Sequence, residues 1–300
     1  MTRQHTVQVL GRRAFLRNGT LLLSAGVLGA ARSFADEDAP AAIRFGLVTD
    51  LHYADKPRAG SRYYRETLTK LDEAARQFER DKVEMVVELG DLVDAAVSPE
   101  QELEYLRQVN DRFSRISPHR HYVLGNHCVD TLTKEEFQGA VGQRESYYSF
   151  DQGGLHFIVL DACFRSDGVP YGRKNSQWTD ANIPPAELDW LARDVASAAG
   201  PIVVLAHQRL DDAGSHQVRN AAEVRTVLEQ SGQVVAVFQG HSHQNAYQEI
   251  GGIHYCTLAA MIEGGGPENN SYARVDATPD GHLRLTGFRR QQTRDFAIAR

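Results

Sequence analysis

An α/β domain of mixed sheets covered by helices is what this 300-residue chain predicts, on three observations. Through the first half, short apolar β-rich runs alternate with amphipathic helical stretches. From Tyr247 onward the pattern is mostly strand. The composition, 42 % hydrophobic and 24 % charged, is that of a globular chain with enough apolar residues for a sizeable core. No internal repeat or low-complexity tract interrupts it, so one domain is expected.

The elements follow in order. Ile43 to Thr49 is β-rich and apolar, a buried strand. Tyr63 to Asp81 is a helix, with Leu68, Leu71, Ala75 and Phe78 at three- and four-residue steps. Val83 to Leu89 is a second buried strand. Pro99 to Ile116 is a helix with Leu103, Leu106, Val109 and Phe113 on one face, and His121 to Leu124 is a short strand. Tyr147 to Phe150 and Leu155 to Leu160 form a hairpin about Gly153-Gly154. Arg165 to Ile183 is a polar, glycine-containing loop long enough to be functional. Helices Pro185 to Ala198 and Ala221 to Gln230 precede strands Ile202 to Leu205 and Val234 to Gln239. The tail supplies strands Tyr247 to Ile250, Ile253 to Thr257, Tyr272 to Val275 and Leu283 to Gly287.

The N-terminus reads as an address and not as fold. Arg12-Arg13 precede Phe15-Leu16, an apolar run spans Leu21 to Ala31, and Ser33-Phe34-Ala35 sets small residues where a signal peptidase reads. The run is too short for a membrane span, which needs about 20 residues. Residues 1–35 therefore resemble a twin-arginine export signal, with 36–41 a linker and 42–300 the folded domain. The expected partner is the twin-arginine translocase, with membrane contact only during export and a periplasmic or otherwise exported location. That route carries folded proteins, which suits a chain that takes up a cofactor first.

Charge and cysteine usage exclude other classes. Lys+Arg is 33 and Asp+Glu 39, a net −6. Five of the arginines and none of the acids lie in residues 1–35, so the remainder sets 28 bases against 39 acids, a net −11. Such a surface repels long nucleic acid over about 10 Å, whereas small phosphorylated substrates remain compatible if a metal supplies local positive charge. Cys128, Cys163 and Cys256 cannot all pair, which excludes a disulfide scaffold and CxxC zinc sites.

Five predicted strands each release Asp, Asn or His at the carboxyl end, where open α/β sheets place their ligands. They are Asp50-Leu51-His52, Gly90-Asp91-Leu92-Val93-Asp94, Gly125-Asn126-His127, Ala206-His207 and Gly240-His241-Ser242-His243. Two-residue spacing turns the pairs Asp50/His52 and His241/His243 to one side of an extended segment. Glycines ahead of Asp91, Asn126 and His241 permit tight turns. Seven oxygen and nitrogen ligands without sulfur suit Mn, Fe, Zn or Co. Seven are too many for one such ion and right for two that share a carboxylate.

In this order the motifs resemble the calcineurin-like metallophosphoesterases, from about Arg44 to His243. The resemblance implies a four-layer αββα sandwich and two divalent metal ions. Asp50, His52 and His243 would hold the first metal, Asn126, His207 and His241 the second, with Asp91 bridging. A hydroxide between ions about 3.5–4 Å apart would attack phosphorus in line. His127 would serve the leaving oxygen as proton donor or charge stabiliser, its tautomer fixed by Asp94. Cys128 replaces the acid that often follows this Gly-Asn-His, and is read as a packing residue. Asp94 stands where purple acid phosphatases carry a tyrosine ligand, which sets the chain apart from that branch.

Leu155 to Asp161, His207 to Asp211 and Ile253 to Leu258 resemble the branch containing manganese-dependent ADP-ribose/CDP-alcohol diphosphatases. The implied activity is hydrolysis of phosphomonoesters, phosphodiesters or nucleoside diphosphate links in small molecules. The alternatives are a cyclic-nucleotide phosphodiesterase and a non-catalytic binding protein on the same scaffold. Tyr53, Arg62, Arg209, Asp211 and Asn269-Asn270 are candidate substrate contacts, and Glu263 with Gly264 to Gly266 reads as a flexible loop near the site. A Ser-His-Asp hydrolase is excluded by the lack of a Gly-x-Ser-x-Gly elbow.

Overall fold

Two six-stranded sheets carry the fold, and the computed structural model describes residues 9–10, 14–17, 20–23, 42–211 and 213–296 of the chain. Residues 1–40 and 41–300 are separate units. In the first, β1 (Val9–Leu10), β2 (Ala14–Arg17) and β3 (Thr20–Leu23) form an antiparallel sheet in that order. Strand β3 takes the start of the expected apolar run of the export signal. Arg12-Arg13, the Ser33–Ala35 cleavage site and the 36–41 linker lie outside the described residues. Among the described residues no helix is long and apolar enough to cross a membrane.

In the second unit β4 (Ile43–Val48), α1 (Thr67–Arg80), β5 (Met85–Glu88), α2 (Pro99–Phe113) and β6 (His119–Tyr122) alternate as expected. Strands β4, β5 and β6 are parallel neighbours. Helix α3 (Lys134–Val141), not anticipated from the sequence, follows. Then come β7 (Tyr148–Gln152), β8 (Leu155–Val159), α4 (Pro185–Ser197), β9 (Ile202–Leu205), α5 (Ala221–Ser231) and β10 (Val234–Gln239). The tail holds β11 (Ala246–Ile250), β12 (Ile253–Thr257), β13 (Ser271–Ala277), β14 (Leu283–Arg289) and the unanticipated β15 (Arg294–Phe296).

The sheet orders are β15-β14-β13-β4-β5-β6 and β11-β12-β10-β9-β8-β7. The first is parallel over β4-β5-β6 and antiparallel over its other half, and the second has a parallel centre with an antiparallel strand at each edge, so both are mixed. Between them lies a core of Phe45, Leu47, Met85, Val87, Phe157, Val203 and Phe238, with Phe45 edge-on to Phe157 at 5.4 Å. On the outer face of the first sheet, Leu71 and Phe78 of α1 and Leu106 and Phe113 of α2 meet Val48, Val86 and Tyr122. Over the second sheet, Leu191 and Val195 of α4 and Val224 and Leu228 of α5 meet Ile158, Val204 and Val237. These three apolar interfaces make the four-layer αββα sandwich. Strands β4, β5, β9 and β10 all end at the same edge of the sandwich, where the polar motifs emerge.

Candidate metal centre

The motif residues converge. His52 Nε2 lies 3.1 Å from His243 Nε2 and 3.6 Å from Asp50 Oδ1, and His243 Nε2 is 3.3 Å from that same oxygen. His207 Nε2 lies 3.1 Å from Asp91 Oδ2, and His241 completes a second group with them. Asp91 Oδ2 is also 3.5 Å from His52 Nε2, so one oxygen reaches both groups.

Each carboxylate divides its oxygens between structure and site. Asp50 Oδ2 accepts from Thr49 Oγ1 at 2.7 Å and the His241 amide at 3.1 Å, leaving Oδ1 free. Asp91 Oδ1 accepts from the His127 amide at 2.8 Å, leaving Oδ2 toward the histidines. The histidines divide their nitrogens similarly. His207 Nδ1 donates to Leu89 O at 2.8 Å, His243 Nδ1 to Glu263 Oε1 at 2.7 Å and His52 Nδ1 to Asp94 Oδ1 at 3.2 Å. All three therefore present Nε2 inward, as oriented imidazole ligands do. Asp50 Oδ1, Asn126 Oδ1, His207 Nε2 and His241 Nε2 are buried with no hydrogen-bond partner among the described residues. Three of these atoms, on Asp50, His207 and His241, belong to the two groups, and orphaned polar atoms gathered so would be costly in a finished core. Oxygen and imidazole nitrogen are the donors borderline divalent cations take, so these residues fit two such ions.

Electrostatics agree. Burial alone would raise Asp50 and Asp91, but His243 and His207 beside Asp50, and His207, His127 and His52 beside Asp91, hold both carboxyls well below the usual range. Burial opposes protonation of His207 and His243, yet Asp91 and Asp50 respectively outweigh it and lift each to about 9. His241 goes the other way: burial, with His207 beside it, drops it to about 3. Metal loading would release the protons that the raised histidines carry.

The local backbone explains the convergence and corrects the sequence argument. Asp50, His52, Asp91, His241 and His243 have φ of 51°, 45°, 60°, 71° and 60°. Left-handed backbone is uncommon outside glycine and concentrates at functional sites. The paired ligands meet because both residues of each pair are left-handed, not because the segment is extended. Gly90 has φ 103°, and a Cβ there would stand 2.3 Å from His207 Nδ1. A Cβ on Gly125 would meet Asp91 Oδ1 at 2.2 Å. Glycine here serves close approach as much as turning.

His127 stands over this group with 28 % of its side chain exposed, and its Nδ1 is 2.6 Å from Asp94 Oδ1. Burial opposes the charge on His127, but Asp91 and then Asp94 raise its pKa. Asp94 also pairs with Lys56 and touches His52, two contacts the sequence reading missed. Against burial, His127 and His52 hold the Asp94 carboxyl far below its usual range. Cys128 is fully buried, its thiol pushed up by burial first and Glu88 second, as befits a packing residue.

Of the candidate substrate contacts, most belong to the scaffold. Tyr53 is 4 % exposed and donates to Gln108 Oε1, so its ring faces the core and not a ligand. Arg209 closes its fork on Asp211 at 2.9 and 2.5 Å, which occupies the bidentate face expected to take phosphate. Asn270 is buried on Lys70 O, and Asn269 donates to Gly265 O. Arg62 differs: its guanidinium has no hydrogen bond or ion pair among the described residues, while its charge is felt at His127, His243 and Glu263. Glu263 is tied down, because Lys70 Nζ donates to Met261 O, Glu263 O and Gly264 O at 2.8, 3.1 and 2.6 Å. Its carboxyl is drawn to about 2, chiefly by His243.

Residues 43–245 match the family described as Calcineurin-like phosphoesterase. The chain belongs to that family. It is 23 % identical to the manganese-dependent ADP-ribose/CDP-alcohol diphosphatase of Xenopus laevis, over 73 % of this chain and 81 % of that protein. The Bos taurus protein of the same name is 24 % identical over 79 % of this chain and 88 % of its own length. Among solved structures, a dimetal phosphatase from Danio rerio superposes with TM-score 0.75 at 18 % identity, covering 86 % of this chain and 100 % of that one. That likeness establishes the calcineurin-like fold.

Proposed function

We propose that this metallophosphoesterase is a diphosphatase for small nucleoside diphosphate derivatives, with manganese as a competent metal. The chain is a metal-dependent phosphoester hydrolase, and one observation carries that function. Two groups of inward-facing donor atoms share Asp91 Oδ2, and Asp50 Oδ1, His207 Nε2 and His241 Nε2 among them have no hydrogen-bond partner among the described residues. The diphosphate class rests on the similarity to the manganese-dependent diphosphatases.

Asp50, His52 and His243 would hold one cation, Asn126, His207 and His241 the other, and Asp91 both. Bound there, the pair would supply Lewis acidity to the phosphoryl group and would lower the pKa of the attacking water. His127, with Nδ1 against Asp94, keeps Nε2 free to protonate or hydrogen-bond the leaving oxygen. Arg62, with no ion pair among the described residues, offers its guanidinium to a second phosphate. The acidic chain, at net −6, otherwise disfavours polyanions and leaves small substrates.

The purified protein loaded with Mn²⁺ is expected to hydrolyse mono- and bis-p-nitrophenyl phosphate in a chelator-sensitive way, and to release adenosine monophosphate from ADP-ribose. Protein that holds two Mn²⁺ per chain and turns over none of the three would overturn the assignment. We also propose twin-arginine export, supported by Arg12-Arg13 ahead of an apolar run. Changing both arginines to lysine should leave the protein in the cytoplasmic fraction, and unchanged export would reject that route.

A further inference from the structure

Large exposed apolar side chains are few: among the described residues they are Val97, Val169 and Trp178. Only Trp178 stands at the metal centre. Its ring is 44 % exposed and lies 5.6 Å from that of His241, a ligand residue. His216 closes the triangle, at 5.2 Å from Trp178 and 5.5 Å from His241. An exposed tryptophan needs a reason, and rings held beside a reaction centre bind planar partners by stacking.

The two rings come from separate loops, and both loops are fixed. Trp178 opens the turn Trp178–Asp180 in the long loop singled out from the sequence. Tyr171 Oη donates to Gln177 O at 2.9 Å just before it, and Arg219 holds Asp180 Oδ1 at 3.5 Å just after. His216 ends the turn Gly214–His216, whose carbonyl accepts from the Arg209 amide at 3.2 Å. Arg219 N also donates to Ala181 O at 2.8 Å, which ties the second loop to the first. Little ordering entropy remains to be lost when a ligand docks on such a surface.

We propose that Trp178 and His216 form a stacking platform for the planar base of the substrate, beside the His241 end of the metal centre. The proposal rests on the diphosphatase reading and deepens it, because it names the base as a recognised group. Arg62, without an ion pair among the described residues, bridges by its backbone to Glu263, which holds His243 of the other group. A nucleoside diphosphate derivative carries both features these subsites would take.

The chain has two tryptophans, Trp178 and Trp190, and Trp190 packs on Tyr147 away from the ligand residues. Trp190→Phe therefore leaves Trp178 as the sole tryptophan, read by excitation at the red edge where tyrosine does not absorb. In that Mn²⁺-loaded protein, adenosine monophosphate should quench the emission and ribose 5-phosphate should not. The nucleotide should bind about tenfold more tightly, in keeping with one stacked base. Trp178→Ala should erase that preference and raise KM for ADP-ribose about tenfold with kcat little changed, and Trp178→Phe should restore most of it. Equal affinities for the two probes, alongside chelator-sensitive hydrolysis, would overturn the platform and leave the diphosphatase reading intact. A nucleotide preference without any hydrolysis would support the platform and sink the catalytic reading. Loss of Mn²⁺ binding in Trp178→Ala with nucleotide affinity unchanged would make the ring a cover for His241, and would also overturn the proposal.

Discussion

Asp91→Ala should reduce kcat/KM by about 10³-fold or more, since cation stabilisation of the transition state is worth several kcal/mol. The reason is the shared oxygen. Asp91 Oδ2 stands 3.1 Å from His207 Nε2 and 3.5 Å from His52 Nε2, so removing it takes a ligand from both groups. Metal content should fall from two ions to one or none. Asp91 Oδ1 also accepts the His127 amide at 2.8 Å, so the alanine variant loses a structural contact as well. Asp91→Asn separates the effects: it keeps a neutral acceptor for the amide and loses the charge. If Asp91→Asn melts like the wild type yet shows the same loss of metal and turnover, the bridging role stands. A variant that loses both ions and keeps its turnover would refute metal-dependent catalysis. A non-catalytic scaffold would show metal loss with no turnover to lose.

Six of the seven candidate ligand residues follow apolar runs that read as buried strands, and parallel strands end on one edge, so their grouping was legible in the sequence; Asn126 follows β6, which is polar and mostly not buried. The local conformation was not legible. Left-handed backbone at Asp50, His52, Asp91, His241 and His243 opposes the intrinsic preference of those residues, and the surrounding fold imposes it. Glu263 lies 20 positions from His243 in a loop without periodicity, so nothing local links its carboxylate to that imidazole. Adjacency misled in the opposite direction. Tyr53 follows a ligand directly, but Gln108 on α2 claims its hydroxyl, and Arg209 is claimed by Asp211 two residues on. Helix α3 was missed although its ends are written plainly. Thr133 and Glu136 form a capping box and Gly142 closes it at φ 78°. Only Phe137 and Val141 of its apolar residues are buried, too few for a periodic signal.

His127→Ala should keep both metals and lose about 10²- to 10⁴-fold in kcat on a poor leaving group such as ribose 5-phosphate, the usual contribution of a positioned proton donor. On p-nitrophenyl esters the loss should be much smaller, because nitrophenolate departs without a proton. The prediction follows from position: His127 is partly exposed above the ligand group, with Nδ1 turned 2.6 Å from Asp94 Oδ1, which leaves Nε2 to face the substrate. Asp94→Asn should behave differently. The same Asp94 oxygen accepts from His52 Nδ1 at 3.2 Å, and Lys56 pairs with its second oxygen. Loss of that charge would disturb a ligand as well as the proton donor, so metal affinity should fall about 10- to 100-fold, the range for partners of metal-bound histidines. Leaving-group dependence confined to His127, with weakened metal binding confined to Asp94, would separate the two roles. Equal losses on all esters in His127→Ala would instead make His127 a stabiliser of charge on the phosphoryl group. Loss of a metal ion in His127→Ala would count it among the ligands, a place its position within 4.8 Å of His52 and Asp91 allows.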